Sequence, residues 1–316
     1  MSNGSPGPGS APILHRAGLA GALARFSQRS YAADYIALGF LALGWVMIQF
    51  MKPFHRMFSL DDKAIMYPFA VHEQVPVLWS VIYAGLIPFL IVMAWSAMVR
   101  PGVQKTQVTV LGLLVTLMLT SFLTDLVKNA VGRPRPDLLS RCMPSRGTKD
   151  DILVTWTVCT QSDQHILQEG WRSFPSGHSS FSFAGLGYLS LFFCGQMHVL
   201  RPRADLGRCL LAFFPLLCAL LIAISRLDDY RHDLWDVTCG GLLGLLMSWF
   251  SYRRYYPPLR SVDCDTPYDK AEAARLEGFS RLDDEERALS RPLVPRDDYT
   301  AGETYQLEEI ETSRSP

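Results

Sequence analysis

The chain has 316 residues, 30 Lys+Arg against 30 Asp+Glu, and a hydrophobic fraction of 49%. The neutral total hides an asymmetry, because residues 257–316 hold 8 basic and 15 acidic side chains and the first 256 hold 22 and 15. Long uncharged stretches within those 256 residues argue against a soluble two-domain protein and against a nucleic-acid binder with a basic face. In chain order, residues 1–13 are Gly/Ser/Pro-rich, and residues 1–34 are expected to be a disordered or interfacial cytosolic N-terminus. Within it Leu19, Leu23 and Phe26 fall at helical spacing, which fits a short interfacial helix or a solvated linker. Six apolar runs follow, at 35–51, 75–99, 107–126, 179–197, 209–225 and 237–252, the third interrupted only by Asp125. A bilayer core takes about 17–25 predominantly apolar helical residues, and backbone in lipid must satisfy its own polar groups. The expected fold is all-α: a polytopic membrane protein with six transmembrane helices in a bundle over 35–256. The first run is read as an uncleaved signal anchor. Residues 257–316 have too little apolar content for a core and read as an acidic, disordered cytosolic tail.

Six spans put both termini on one side. Lys and Arg totals on the two sides are similar, at 10 and 12, but basic density in the short loops favours cytosolic termini. Cys194, Cys209, Cys218 and Cys239 lie in or at spans and read as small packing residues. Only Cys142 and Cys159 share an exoplasmic loop, where a disulfide is expected and two free thiols are the alternative.

Three polar clusters sit at span boundaries. Lys128-Asn-Ala-Val-Gly-Arg133-Pro134-Arg135-Pro136 leaves the third run, and Phe174-Pro175-Ser176-Gly177-His178 leads into the fourth. Ser225-Arg226 through His232 to Asp236 joins the fifth and sixth. Parity puts all three at one membrane face, so they can share a site. Lys128, Arg135 and Arg226 are cationic donors, and guanidinium matches phosphate oxygens in bidentate fashion. Ser176-Gly177-His178 opens a helix, where free N–H groups favour an anion and Gly177 permits close approach. His232 and Asp236, four apart, are neighbours on one helical face, so the carboxylate can hold one imidazole nitrogen. Arg133 is left between phosphate ligand and surface charge. Asp125, an ionisable residue within a span, is expected to pair with a site cation. Asp228 and Asp229 are expected to pair with Arg226 and Arg231.

These motifs resemble the three-part signature of the type 2 phosphatidic acid phosphatase superfamily. The likeness covers residues 128–236, and the segment 58–69 is similar to the family's loop between the first two spans. The branch most resembled is that of the lipid phosphate and diacylglycerol pyrophosphate phosphatases. The resemblance implies Lys128, Arg135, Ser176, Gly177 and Arg226 as substrate-binding residues. It makes His232 the nucleophile, Asp236 its orienting partner and His178 the acid for the leaving group. It further implies an active site at the exoplasmic face, whether lumenal or extracellular, with no metal and no cofactor. The substrate is a lipid phosphate, such as phosphatidate, lysophosphatidate or diacylglycerol pyrophosphate. Membrane lipids are partners, nucleic acid is not, and a homo-oligomer stays open. A lipid phosphotransferase and a non-catalytic anion-binding or transport protein are the alternative readings.

Overall fold

The computed structural model describes residues 31–202 and 204–268. Helix α1 (Ala32–Gln49) is followed by a long loop, then α2 (Val77–Val99), α3 (Val103–Val131) and a second long loop. Helices α6 (Gly177–Gln196), α7 (Leu206–Asp228) and α8 (Leu234–Tyr255) complete the bundle. Within α2 the turn Ile82–Leu86 widens to π geometry. Pro88 explains this locally, because it has no N–H to return to the Ala84 carbonyl. Left-handed residues stop two helices, Arg100 at φ 51° after α2 and Gly132 at φ 56° after α3. With 29 residues, α3 is about 43 Å long at 1.5 Å per residue, more than a bilayer core needs. Its last turn therefore carries Lys128 towards the bundle end.

Five helices are long and apolar enough to cross a membrane among the described residues: α1, α2, α3, α7 and α8. Five of the six expected spans are thus borne out by length and apolarity, and α6 falls short of that measure. Its 20 residues include Ser179, Ser180, Ser182, Gly185, Gly187 and Ser190, all buried. α6 packs against α8, α7 and α3, so its faces meet protein rather than lipid and need not be strongly apolar. The other helices show the converse, with Phe40 on α1, Leu78 on α2 and Leu210 on α7 all exposed. Outward apolar side chains on several helices are what a lipid-facing surface requires.

The two long loops build one cap at the site end of the bundle. Strand β1 (Phe58–Ser59) pairs antiparallel with β2 (Leu153–Val154), in the register Phe58↔Val154. Short helices α4 (Leu138–Cys142) and α5 (Gln164–Glu169) frame the second loop, and Asp163 caps α5 through the N–H groups of His165 and Ile166. Phe58, Ile65, Leu138, Val154, Leu167 and Trp171 form a separate small core under them. Cys142 and Cys159 are disulfide-bonded.

At the opposite end Tyr31, Tyr188, Tyr252, Tyr255 and Tyr256 surround Val108 and Leu111. Residues 257–268 fold back on this end: Gln196 donates to the Asp265 carbonyl at 3.0 Å, and Tyr268 N–H donates to the Tyr255 carbonyl at 2.9 Å. The ordered body thus runs past Tyr256, which corrects the expected start of the disordered tail. The rest of the tail and the 1–30 segment, with its expected interfacial helix, lie outside the described residues.

Candidate active site

The three boundary clusters converge. Ser176 caps α6, its side chain accepting from Ser179 N–H, and its own N–H donates to the Asp236 carbonyl at 2.9 Å. This bond ties the start of α6 to the first turn of α8. Gly240 makes the approach possible, because a Cβ there would stand 2.6 Å from the Ser176 carbonyl oxygen. At Gly177 a Cβ would stand 3.0 Å from Lys128 Nζ, so the absent side chain leaves the ammonium beside the helix start.

Six of the eight signature residues line one cavity of about 560 Å³: Lys128, Arg135, Gly177, His178, Arg226 and His232. Ser176 and Asp236 lie behind its wall. The same cavity reaches Trp45, Val77, Val81, Met118 and Phe181, side chains from the membrane-crossing part of the bundle. A second cavity of about 740 Å³, under the cap, also touches His232, beside Tyr67, Tyr230 and Asp233.

His178 Nε2 and His232 Nδ1 are both buried and without a hydrogen-bond partner among the described residues. Asp236 Oδ2 faces His232 Nδ1 at 3.8 Å, longer than a hydrogen bond. The carboxylate instead accepts from Arg133 at 2.7 Å, from Ser173 Oγ at 2.5 Å and from Asp233 N–H at 3.0 Å. Arg133 also bonds Asp233 at 2.9 Å, so it locks the first turn of α8 rather than serving as a surface charge. Burial pushes the His232 imidazole down to about 3, helped by the charges of Arg135 and Lys128 and opposed by Asp236. The ring is therefore neutral near pH 7 and keeps a lone pair free.

Sequence reasoning missed Glu73 and Glu169 as counter-charges of the cations. Arg135 bonds Glu169 at 2.9 Å, and Arg172 bonds the same carboxylate at 3.0 Å. Burial alone would raise the Glu169 carboxyl, but Arg135, Lys128 and Arg172 outweigh it and hold it down at about 2. Arg226 bonds Glu73 at 2.8 Å and Asp229 at 2.6 Å. Of the pairings expected for Asp228 and Asp229, Arg226–Asp229 forms, while Arg231 contacts Glu73 at 2.9 Å and Asp137 at 3.7 Å instead. Asp125 accepts from Trp45 Nε1 at 2.9 Å and Gln49 Nε2 at 2.7 Å, neutral donors from α1 rather than the expected cation. Neither Glu73 nor Glu169 belongs to a motif. The signal that could have found them is physical: buried guanidinium groups need anionic partners.

Residues 109–259 match the model of the PAP2 superfamily. A probable diacylglycerol pyrophosphate phosphatase 1 from Schizosaccharomyces pombe is 40% identical over 79% of this chain and 89% of its own. The chain belongs to the PAP2 superfamily. Diacylglycerol pyrophosphate phosphatase 1 of Saccharomyces cerevisiae is 41% identical over 67% of this chain and 75% of its own. Lipid phosphate phosphatase 2 of Arabidopsis thaliana is 35% identical over 76% and 80%. This PAP2 protein is accordingly a phosphatase-type hydrolase of the lipid phosphate phosphatase class. Its cavity supplies what such chemistry needs, a neutral buried imidazole among converging cationic donors.

Proposed function

We propose that the protein hydrolyses lipid phosphates such as phosphatidate, lysophosphatidate or diacylglycerol pyrophosphate through a phosphohistidine at His232. The observation that carries this reading is one cavity that holds His178, His232 and the three signature cations and continues to Trp45, Val77 and Met118. A phosphate seated among Lys128, Arg135, Arg226 and the Ser176-Gly177-His178 backbone leaves its acyl chains pointing along that apolar wall. His232 Nε2 attacks phosphorus, and the bond to the leaving oxygen breaks as that oxygen takes a proton from His178. Water then attacks phosphorus, His178 takes its proton, and the P–N bond breaks to release orthophosphate. Asp236, at 3.8 Å from Nδ1, favours the imidazole's charge development, and Arg133 and Ser173 hold the carboxylate in place. An incoming phosphate dianion supplies the negative charge that favours a protonated His178 beside the cations.

Positioning and charge neutralisation dominate phosphoryl transfer, and here Lys and Arg supply both without a metal ion. Purified protein in detergent should release phosphate from these lipids with excess EDTA present. Loss of release on chelation and recovery with magnesium would contradict the metal-free reading. Transfer of the phosphoryl group to an added alcohol in preference to water would favour a phosphotransferase. We further place six helices across the membrane, α6 among them, with both termini cytosolic and the site exoplasmic. Membrane-impermeant labelling of a Cys at exposed Lys149 in intact cells or sealed vesicles tests this, and labelling only after permeabilisation with the plasma membrane as host would reverse it.

A further inference from the structure

The cavity contains an arginine that the signature does not use. Arg231, beside His232 in sequence, is 8% exposed and lies over the Phe69 ring at 4.5 Å. Its Nη2 donates to the Ala70 carbonyl at 2.9 Å and contacts Glu73 Oε1 at 2.9 Å, while Nη1 lies 3.7 Å from Asp137. Its Nε is buried with no hydrogen-bond partner among the described residues. The other oxygen of Glu73 bonds Arg226 Nη1 at 2.8 Å. One carboxylate therefore bridges a signature arginine and Arg231, and all three residues line the cavity with His232. Arg141 lines it too, but Asp137 engages it twice, at 2.8 and 2.9 Å, and the Ile166 carbonyl accepts a further bond.

Resting on the lipid phosphatase reading above, we propose that the space between Arg226 and Arg231 is a second anion subsite, which takes the inner phosphate of a lipid diphosphate. Glu73 occupies it in the ligand-free protein. Two oxygens of a phosphate are spaced much like those of a carboxylate, and guanidinium groups bind either in the same manner. The inner phosphate presents two free oxygens and one negative charge, as a carboxylate does, and the outer phosphate, held by the remaining signature cations, anchors it in competition for the same two donors. Glu73 stands near the end of the first long loop, four residues before α2, with 24% of its side chain exposed, so it can swing aside. The two phosphates of a diphosphate share one oxygen, so a ligand of the first must also border the second. Arg226 meets that condition. With the outer phosphate at His232, attack breaks the bond from its phosphorus to the bridging oxygen. The lipid monophosphate leaves with a proton from His178 and stays held by Arg231.

The test compares full-length wild type, Arg231→Gln, Arg231→Lys and Glu73→Gln in detergent micelles. Turnover is measured on a diacylglycerol monophosphate and diphosphate of equal chain length, and binding is measured with inorganic phosphate and pyrophosphate by thermal shift. A charge-assisted contact confined to one substrate should lower the diphosphate-to-monophosphate ratio of kcat/KM by about 10-fold in Arg231→Gln, with partial rescue in Arg231→Lys. Pyrophosphate binding should weaken more than phosphate binding in Arg231→Gln and tighten in Glu73→Gln. Equal losses for both lipids and both anions, an unchanged ratio, or weaker pyrophosphate binding in Glu73→Gln would overturn the subsite. If wild type turned over no lipid phosphate, the functional reading would fall, while the Arg231 dependence of pyrophosphate over phosphate binding would still decide the subsite. If Arg231→Gln did not fold, the direction of the Glu73→Gln shift would decide it.

Discussion

His178 and His232 line one cavity but differ in their partners, and that difference predicts different failures. His232 faces the Asp236 carboxylate at 3.8 Å, whereas no carboxylate pairs with His178 among the described residues. Replacing His232 with Ala should abolish turnover of every substrate, because no phosphoenzyme forms. Replacing His178 with Ala should slow lipid substrates by about 10²–10⁴-fold, the usual worth of general-acid assistance. An aryl phosphate, with a leaving group that needs less help, should recover much of that loss. Equal losses for alkyl and aryl esters in both variants would mean that the roles are assigned wrongly. At this scale the cationic and imidazole residues were legible because each sits in a motif at a helix boundary. Of their carboxylate partners, Asp229 beside Arg226 was expected and the others were not. Glu73 and Glu169 lie in long loops, and their pairing with Arg226 and Arg135 depends on how those loops fold over the bundle. Arg133 was left open for the same reason, since Asp233 and Asp236 lie 100 and 103 residues away.

At the scale of elements, the cap is held by few regular bonds. β1 and β2 contribute two residues each, so the small core around Trp171 and the Cys142–Cys159 bridge have a large share in keeping the loops closed. The bridge spans a sequence separation of 17, and closing a loop of that order is worth about 3 kcal/mol in the chain-entropy account. Replacing both cysteines with Ser should lower the thermal stability of the cap and increase its proteolysis, while the helices persist. Two alkylatable thiols in freshly isolated, unreduced protein would contradict the bridge. The pairing was legible because only these two cysteines share one loop outside the apolar runs on the site side. The antiparallel pairing of 58–59 with 153–154 was not, because two-residue strands carry no alternation to read. α6 shows the opposite limit. Its run reads as a span by lack of charge, yet its Ser and Gly content reflects burial among other helices.

For the whole molecule, the same bundle solves two demands at its two ends. One end gathers cations under a cap, and the other packs tyrosines around residues 257–268. Between them, apolar side chains line the route from the outer helices to His232, as a lipid substrate requires. The order of the long helices, and five of the six expected spans, were legible because lipid imposes length and apolarity on each. The fold-back of 257–268 was not, because an acidic, Pro-rich segment gives no periodic signal and its contacts are made through backbone groups and single side chains. All of this serves one chemical claim, that the phosphoryl group passes through His232. The most direct measurement is acid-free quenching of the purified protein with labelled lysophosphatidate, followed by mass spectrometry of the phosphorylated peptides. An acid-labile, base-stable phosphate on His232, absent from the His232→Ala variant, is the expected result; phosphate on His178, or turnover with no phosphoenzyme at any time, would contradict the account.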